Sequence, residues 1–130
     1  MATIFTRIIQ GEIPCHKLYE DSLCFAFLDI NPINPGHTLV VSREETDYLF
    51  DLDDDLLKHM MGIAKKIGLA IDRAVDCDRV GIIVAGLEVP HAHIHLVPIT
   101  GIGDINFANA KPSTQEDLAA IAARVHSHLS

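Results

Sequence analysis

Apolar and polar positions alternate strictly in one stretch of this chain, His91-Ala-His-Ile-His-Leu-Val-Pro98. Period two marks a strand, with His91, His93 and His95 on one face and Ala92, Ile94 and Leu96 on the other. Elsewhere the period lengthens to three or four. Leu52, Leu56, Met60, Ile63, Ile67, Ala70 and Ala74 trace the stripe of an amphipathic helix over about 53–75. Asp53, Asp54 and Asp55 crowd its first turn, where the helix dipole favours negative charge. Gly62 and Gly68 inside it each cost about 1 kcal/mol against Ala; close approach to another backbone would account for them.

The same reading places the other elements. Ile4, Phe5, Ile8 and Ile9 have helical spacing, ended by Gly11 and Pro14. Cys15–Leu28 reads as two strands about a turn at Asp21-Ser22, and Thr38–Val41 as a third, opened by His37. Arg79–Ala85 reads as a buried strand with little alternation that pairs with the histidine strand through Gly86–Pro90. Gly101–Pro112 is a loop by composition. Ser113 and Glu116 form a capping box for a closing helix with an apolar stripe at Leu118, Ile121, Ala122, Val125 and Leu129, leaving His126 and His128 as surface groups. No repeat or linker divides the chain, so residues 1–130 are expected to form one domain.

Composition narrows the field of ligands. Apolar content of 48% and charged content of 22% are ordinary for a soluble globular fold. No apolar run reaches the roughly 18 residues of a membrane helix, and Met1-Ala-Thr-Ile-Phe-Thr-Arg lacks a secretory core, so the cytoplasm is the expected compartment and no membrane partner is expected. A net charge of −8 argues against a nucleic-acid polymer but leaves room for a small phosphate ester. Cys15, Cys24 and Cys77 are odd in number and widely spaced, as free thiols in a reducing compartment would be.

Three imidazoles about 6–7 Å apart along a ribbon must each find a partner. They can hold a metal such as zinc. Equally, a neutral imidazole can attack phosphorus or an acyl carbon while its neighbours set tautomer and charge. Spacing alone does not separate the two.

Gly86-Leu-Glu-Val-Pro-His-Ala-His-Ile-His-Leu-Val-Pro98 resembles the His-x-His-x-His signature of the histidine-triad family. Thr3–Pro14, Ala26–Pro32 and Pro35–Val41 follow the family's order and spacing upstream, so the resemblance spans about three quarters of the chain. It is closest in kind to the Hint-like nucleoside phosphoramidase branch. That resemblance implies an α+β fold: an antiparallel sheet of about five strands, one long helix and a C-terminal helix, with the helices to one side.

It also implies a hydrolase of nucleoside 5′-monophosphoryl conjugates, phosphoramidate or phosphoanhydride, with adenosine the expected nucleoside, working through a nucleotidyl-histidine and needing neither cofactor nor metal. His93 would be the nucleophile, His95 would bind phosphoryl oxygens, and His91 and His37 would orient the network. Asp29 would accept from the ribose hydroxyls. Ile4, Phe5, Ile8, Ile13, Phe27 and Ile30 would wall the nucleobase, with Gly86, Glu88 and Val89 near the phosphate. Relatives pair as two-fold dimers, so a homodimer is expected.

The chain departs from the family pattern at several places. A Cys-x-x-Cys that helps bind zinc in many bacterial relatives is replaced by Thr3 and Thr6, which implies that this structural zinc site is absent. The usual Asn and Gln before the triad give way to an apolar residue about Val80 and to Leu87, and Glu88 sets a carboxylate where a phosphate is expected. The alternatives are a dinucleoside polyphosphate hydrolase, or a nucleotide-binding regulator with little catalysis.

Overall fold

Five strands make one antiparallel sheet in the computed structural model, which describes residues 2–129. They are β1 (Lys17–Glu20), β2 (Cys24–Leu28), β3 (Thr38–Ser42), β4 (Arg79–Ile83) and β5 (His93–Ile99), in the order β1-β2-β3-β5-β4. Three helices accompany them: α1 (Ile4–Ile9), α2 (Asp54–Ala74) and α3 (Gln115–His128). The class is α+β.

Pleating sorts the side chains into two layers. Ala26, Leu28, Val40, Ile94 and Leu96 face the main core, closed by Met60, Ile67 and Ile71 of α2 and Leu118 and Val125 of α3. Phe25, Phe27, Leu39 and Val41 face the other way and are covered by Phe5 and Ile8 of α1. The helices therefore do not all lie on one side, because α1 carries its own apolar face to the opposite surface. Direct pairing of Val41 with His93 and of Leu39 with His95 puts both histidines on that α1 face.

Two strands differ from the sequence reading. Arg79–Ala85 is not a buried strand: β4 stops at Ile83 and lies at the sheet edge, so Ile82 is 49% exposed and only its β5 side is paired. Its lack of alternation reflects a half-exposed edge. The histidine strand begins at His93, leaving His91 in the bend before it.

The helix boundaries follow local chemistry. Asp53 caps α2 by accepting from the Leu56 amide at 2.9 Å. For α3 the cap is Thr114, whose hydroxyl accepts from the Asp117 amide at 3.1 Å, one residue beyond the expected Ser113. Ser113 is instead drawn to the Ile30 carbonyl at 3.0 Å. Nothing approaches within 4 Å of a Cβ built on Gly62, and Gly68 meets only Val80 at that limit, so no backbone contact explains either glycine. Cys15, Cys24 and Cys77 are free thiols.

Candidate functional site

His93 and His95 project from β5, His37 sits just before β3, and His91 lies in the bend; all four rings are buried. Hydrogen-bond partners decide where each proton resides. The Ile33 amide donates to His37 Nδ1 at 3.0 Å, which leaves the proton on His37 Nε2. That N–H donates to His95 Nδ1 at 2.9 Å, so a neutral His95 keeps its proton on Nε2. A backbone amide thus sets the polarity of two imidazoles in series.

A second chain fixes His93. Its Nδ1–H donates to the His91 carbonyl at 2.6 Å, leaving Nε2 with a lone pair. Among the described residues no fully buried side-chain nitrogen lacks a partner, and Nε2 makes no hydrogen bond to them, so it keeps some access to solvent, on a residue that lines a cleft. The His91 ring is held on both sides: Nε2–H donates to the Ser42 carbonyl at 2.6 Å, and Nδ1 accepts from the Thr3 hydroxyl at 2.6 Å.

Burial favours the neutral form of His37, His91 and His95. It pushes His37 down to about 4 and, with the neighbouring His37 and His93, His95 down to about 3. His91 is lowered by burial as well. Asp29, whose Oδ2 lies 3.6 Å from His37 Nε2, is raised, again chiefly by burial; its Oδ1 accepts from the Asn31 amide at 2.9 Å.

Aromatic edges close the group. Phe5 meets His91 and His93 with ring centroids 5.6 and 5.1 Å apart, and Phe107 meets His95 at 4.8 Å. A cleft of about 790 Å³ opens beside His93, walled by Tyr48, Phe50, Met61, Val84 and Leu87. It lies against α2 and the β4–β5 connection and not against α1.

Among the described residues, two groups of side chains gather potential metal ligands, and each contains a residue whose ligand atoms are already committed. In Asp29–His37–His95, His37 Nε2 carries a proton and offers no lone pair while Ile33 holds Nδ1. In Asp21–Cys24–His59, the Asp21 oxygens already accept from the Leu23 and Cys24 amides, Tyr19 and His59. At Thr3 and Thr6, hydroxyls bond to His91 and to Glu45.

The HIT domain profile matches residues 10–101. The chain belongs to the histidine-triad (HIT) family. It is 41% identical over 102 residues to an uncharacterized HIT-like protein of Borreliella burgdorferi, covering 73% of each chain. It is 37% identical over 102 residues to the adenosine 5′-monophosphoramidase HNT1 of Saccharomyces cerevisiae, covering 75% of this chain and 62% of that one. The crystal structure of a Hit-like protein from Bartonella henselae superposes with a TM-score of 0.86 at 30% identity, over 98% of this chain and 96% of that one.

In this HIT protein the predicted site residues are only partly gathered. Phe5, Ile8 and Phe27 pack into one cluster, with Ile13 and Val89 against it. Ile4 and Ile30 are 47% and 53% exposed and lie outside that cluster's buried members. Gly86 takes a positive φ of 75°, a conformation that favours glycine, and Glu88 is exposed. Four participants escaped the sequence reading: Ile33 and Ser42, which act through backbone groups; Glu45, in a turn; and Phe107, in the irregular 101–112 loop. Apart from Ser42, at the end of β3, none lies on a strand or α-helix. Only the paired hydroxyls of Thr3 and Thr6, three residues apart at a helix start, offered a capping signal.

Proposed function

We propose that this chain hydrolyses nucleoside 5′-monophosphoryl conjugates, P–N or P–O linked, with His93 as the nucleophile. One observation carries the reading: His93 Nδ1–H is tied to the His91 carbonyl, so the lone pair is at Nε2, on the open side. The kinship with an adenosine 5′-monophosphoramidase supports adenosine and a P–N bond.

The chemistry follows from the tautomers. His93 Nε2 attacks the α-phosphorus, an N–P bond forms, and the bond to the leaving amine breaks with its electron pair on nitrogen, which takes a proton from solvent. His95 Nε2–H donates to a phosphoryl oxygen. Water then attacks phosphorus and gives up a proton to solvent, the N–P bond to His93 breaks with its electron pair returning to Nε2, and the nucleoside monophosphate leaves. His37 and His91 act through His95 and His93. Asp29 accepts from the ribose hydroxyls, the Phe5–Ile8–Phe27 cluster with Ile4, Ile13 and Ile30 meets the base, and Gly86, Glu88 and Val89 flank the phosphate.

The protein works as a homodimer paired through β4. That edge is unpaired, and Ile82, Val84, Met61 and Leu69 expose 41–53% of their surface there. The opposite edge, β1, carries the Lys17–Glu20 ion pair at 2.6 Å and is ill suited to pairing.

The test is single-turnover mixing with an adenosine phosphoramidate followed by intact-protein mass measurement. An adenylyl adduct on the wild type that vanishes in His93→Ala, with AMP still bound, is the expected result. Near-normal turnover by His93→Ala removes the nucleophile. Faster turnover of a diadenosine polyphosphate would favour the polyphosphate hydrolase instead.

A further inference from the structure

We propose that Thr3 and Glu45 are positioning residues: they latch α1 onto His91 and thereby set the ring of His93. The inference rests on the function proposed above and assigns two residues that it does not use.

The latch can be followed atom by atom. His91 precedes β5, and the β3–β5 pairing begins only at Val41–His93, so the His91 peptide is held outside that ladder. Its amide donates to the Val89 carbonyl at 2.8 Å, while its carbonyl accepts the Nδ1–H of His93. What anchors this residue is chiefly its ring, gripped between the Ser42 carbonyl and the Thr3 hydroxyl at 2.6 Å each. Because Ser42 offers only an acceptor, His91 must carry its proton on Nε2, and Thr3 must donate to Nδ1.

Thr3 is also the N-cap of α1, where its hydroxyl oxygen accepts from the Thr6 amide at 3.2 Å. One oxygen therefore closes the helix and donates to the imidazole. Behind it stands Glu45: a single carboxylate oxygen accepts from the Thr3 amide and from the Thr6 hydroxyl, both at 2.7 Å. Those bonds to a charged acceptor are the stronger kind. A helix of six residues has no stability alone, so such ties and its packing hold α1 in place. Phe5, on α1, rests edge-on against both His91 and His93. Any shift of α1 would therefore move a base wall and the neighbour of the nucleophile together.

Thr3→Val removes the hydroxyl at nearly constant shape, Thr3→Ser retains it, and Glu45→Gln weakens the anchor. The readouts are kcat and KM for an adenosine phosphoramidate, AMP affinity, and the nitrogen-15 signals of the His91 and His93 rings. Thr3→Val is expected to lose about tenfold in kcat, in keeping with one lost hydrogen bond, with His91 Nδ1 and His93 Nδ1 both shifted. Thr3→Ser is expected to restore both. A Thr3→Val protein that loses only thermal stability, with kcat, KM and ring signals as in the wild type, overturns the proposal. Should Thr3→Val not fold, Glu45→Gln carries the same comparison at a smaller effect. If the wild type neither binds AMP nor turns over the phosphoramidate, the proposed function fails; the ring signals still decide whether Thr3 sets His93.

Discussion

His37 Nε2 donates to His95 Nδ1 across 2.9 Å, and the direction of that bond is imposed from behind by the Ile33 amide on His37 Nδ1. The Nε2–H that His95 is left with is inherited from a backbone N–H four residues before His37. Replacing His37 with Phe keeps a buried ring but removes both bonds. The Ile33 amide loses its partner, at about 1–3 kcal/mol of stability, and His95 loses its fixed tautomer. We expect kcat/KM to fall about 10- to 100-fold, measured by steady-state kinetics; an unchanged value would detach His37 from the site.

Acid should weaken the fold through these same rings. His37 and His95 titrate at about 4 and about 3 when folded, against the ordinary 6.5. Below pH 6.5 the unfolded chain therefore binds protons that the folded one refuses. Their stabilisation is complete above pH 6.5 and is lost as pH falls toward 4 and 3, by up to about 1.4 kcal/mol per pH unit for each ring. Urea midpoints at pH 7, 6 and 5 should drop, and the drop should be shallower in His37→Phe. Equal slopes in the two proteins would contradict the assignment.

Asp29 should report on the sugar. If its carboxylate accepts from ribose hydroxyls, Asp29→Ala is expected to lower affinity for AMP about tenfold and to leave affinity for a nucleotide lacking both hydroxyls nearly unchanged. Calorimetry with the two ligands on both proteins measures this. Equal losses for both ligands would deny Asp29 its role.

Asp21 serves the frame. Its carboxylate accepts from two amides in the β1–β2 turn, from Tyr19 and from His59 of α2 at 2.6–2.8 Å. Burial alone would raise its pKa, but those bonds outweigh burial and hold it well below the usual carboxylate range, and the Tyr19 hydroxyl is pushed up to about 12, first by its bond to Asp21. Asp21→Ala is expected to cost about 2 kcal/mol of stability while kcat and KM stay near wild type. A denaturation midpoint equal to the wild type would remove the clamp.

The β4 edge tests assembly. Placing a charge there by Ile82→Lys is expected to convert a dimer into a monomer in sedimentation velocity, because edge pairing would bury an ammonium group. A wild-type chain that sediments as a monomer at 100-fold dilution and at high concentration alike would reject pairing through β4.

Much of this architecture was legible from pattern. The three-to-four spacing from Leu52 to Ala74 located α2, now Asp54–Ala74, because one apolar stripe must be buried along its length. Alternation through His93, Ile94, His95 and Leu96 located β5 and its two faces, since pleating assigns faces by parity alone. The family motifs named the histidines. Local patterning is enough for such features, because each depends on neighbours a few residues away.

Tertiary structure decided the rest. Parity could not tell that His91 falls outside the strand, or that β4 lies at an edge with Ile82 half exposed, because strand order depends on partners far along the chain. Nor could it assign protons: the His93 tautomer is set by the His91 carbonyl, and that of His95 by the Ile33 amide through His37. Glu45 meets Thr3 across 42 positions and Thr3 meets His91 across 88, separations that carry no periodic signature. A residue type supplies the capacity to hold or give a proton; only the partners brought to it in space fix which nitrogen does so.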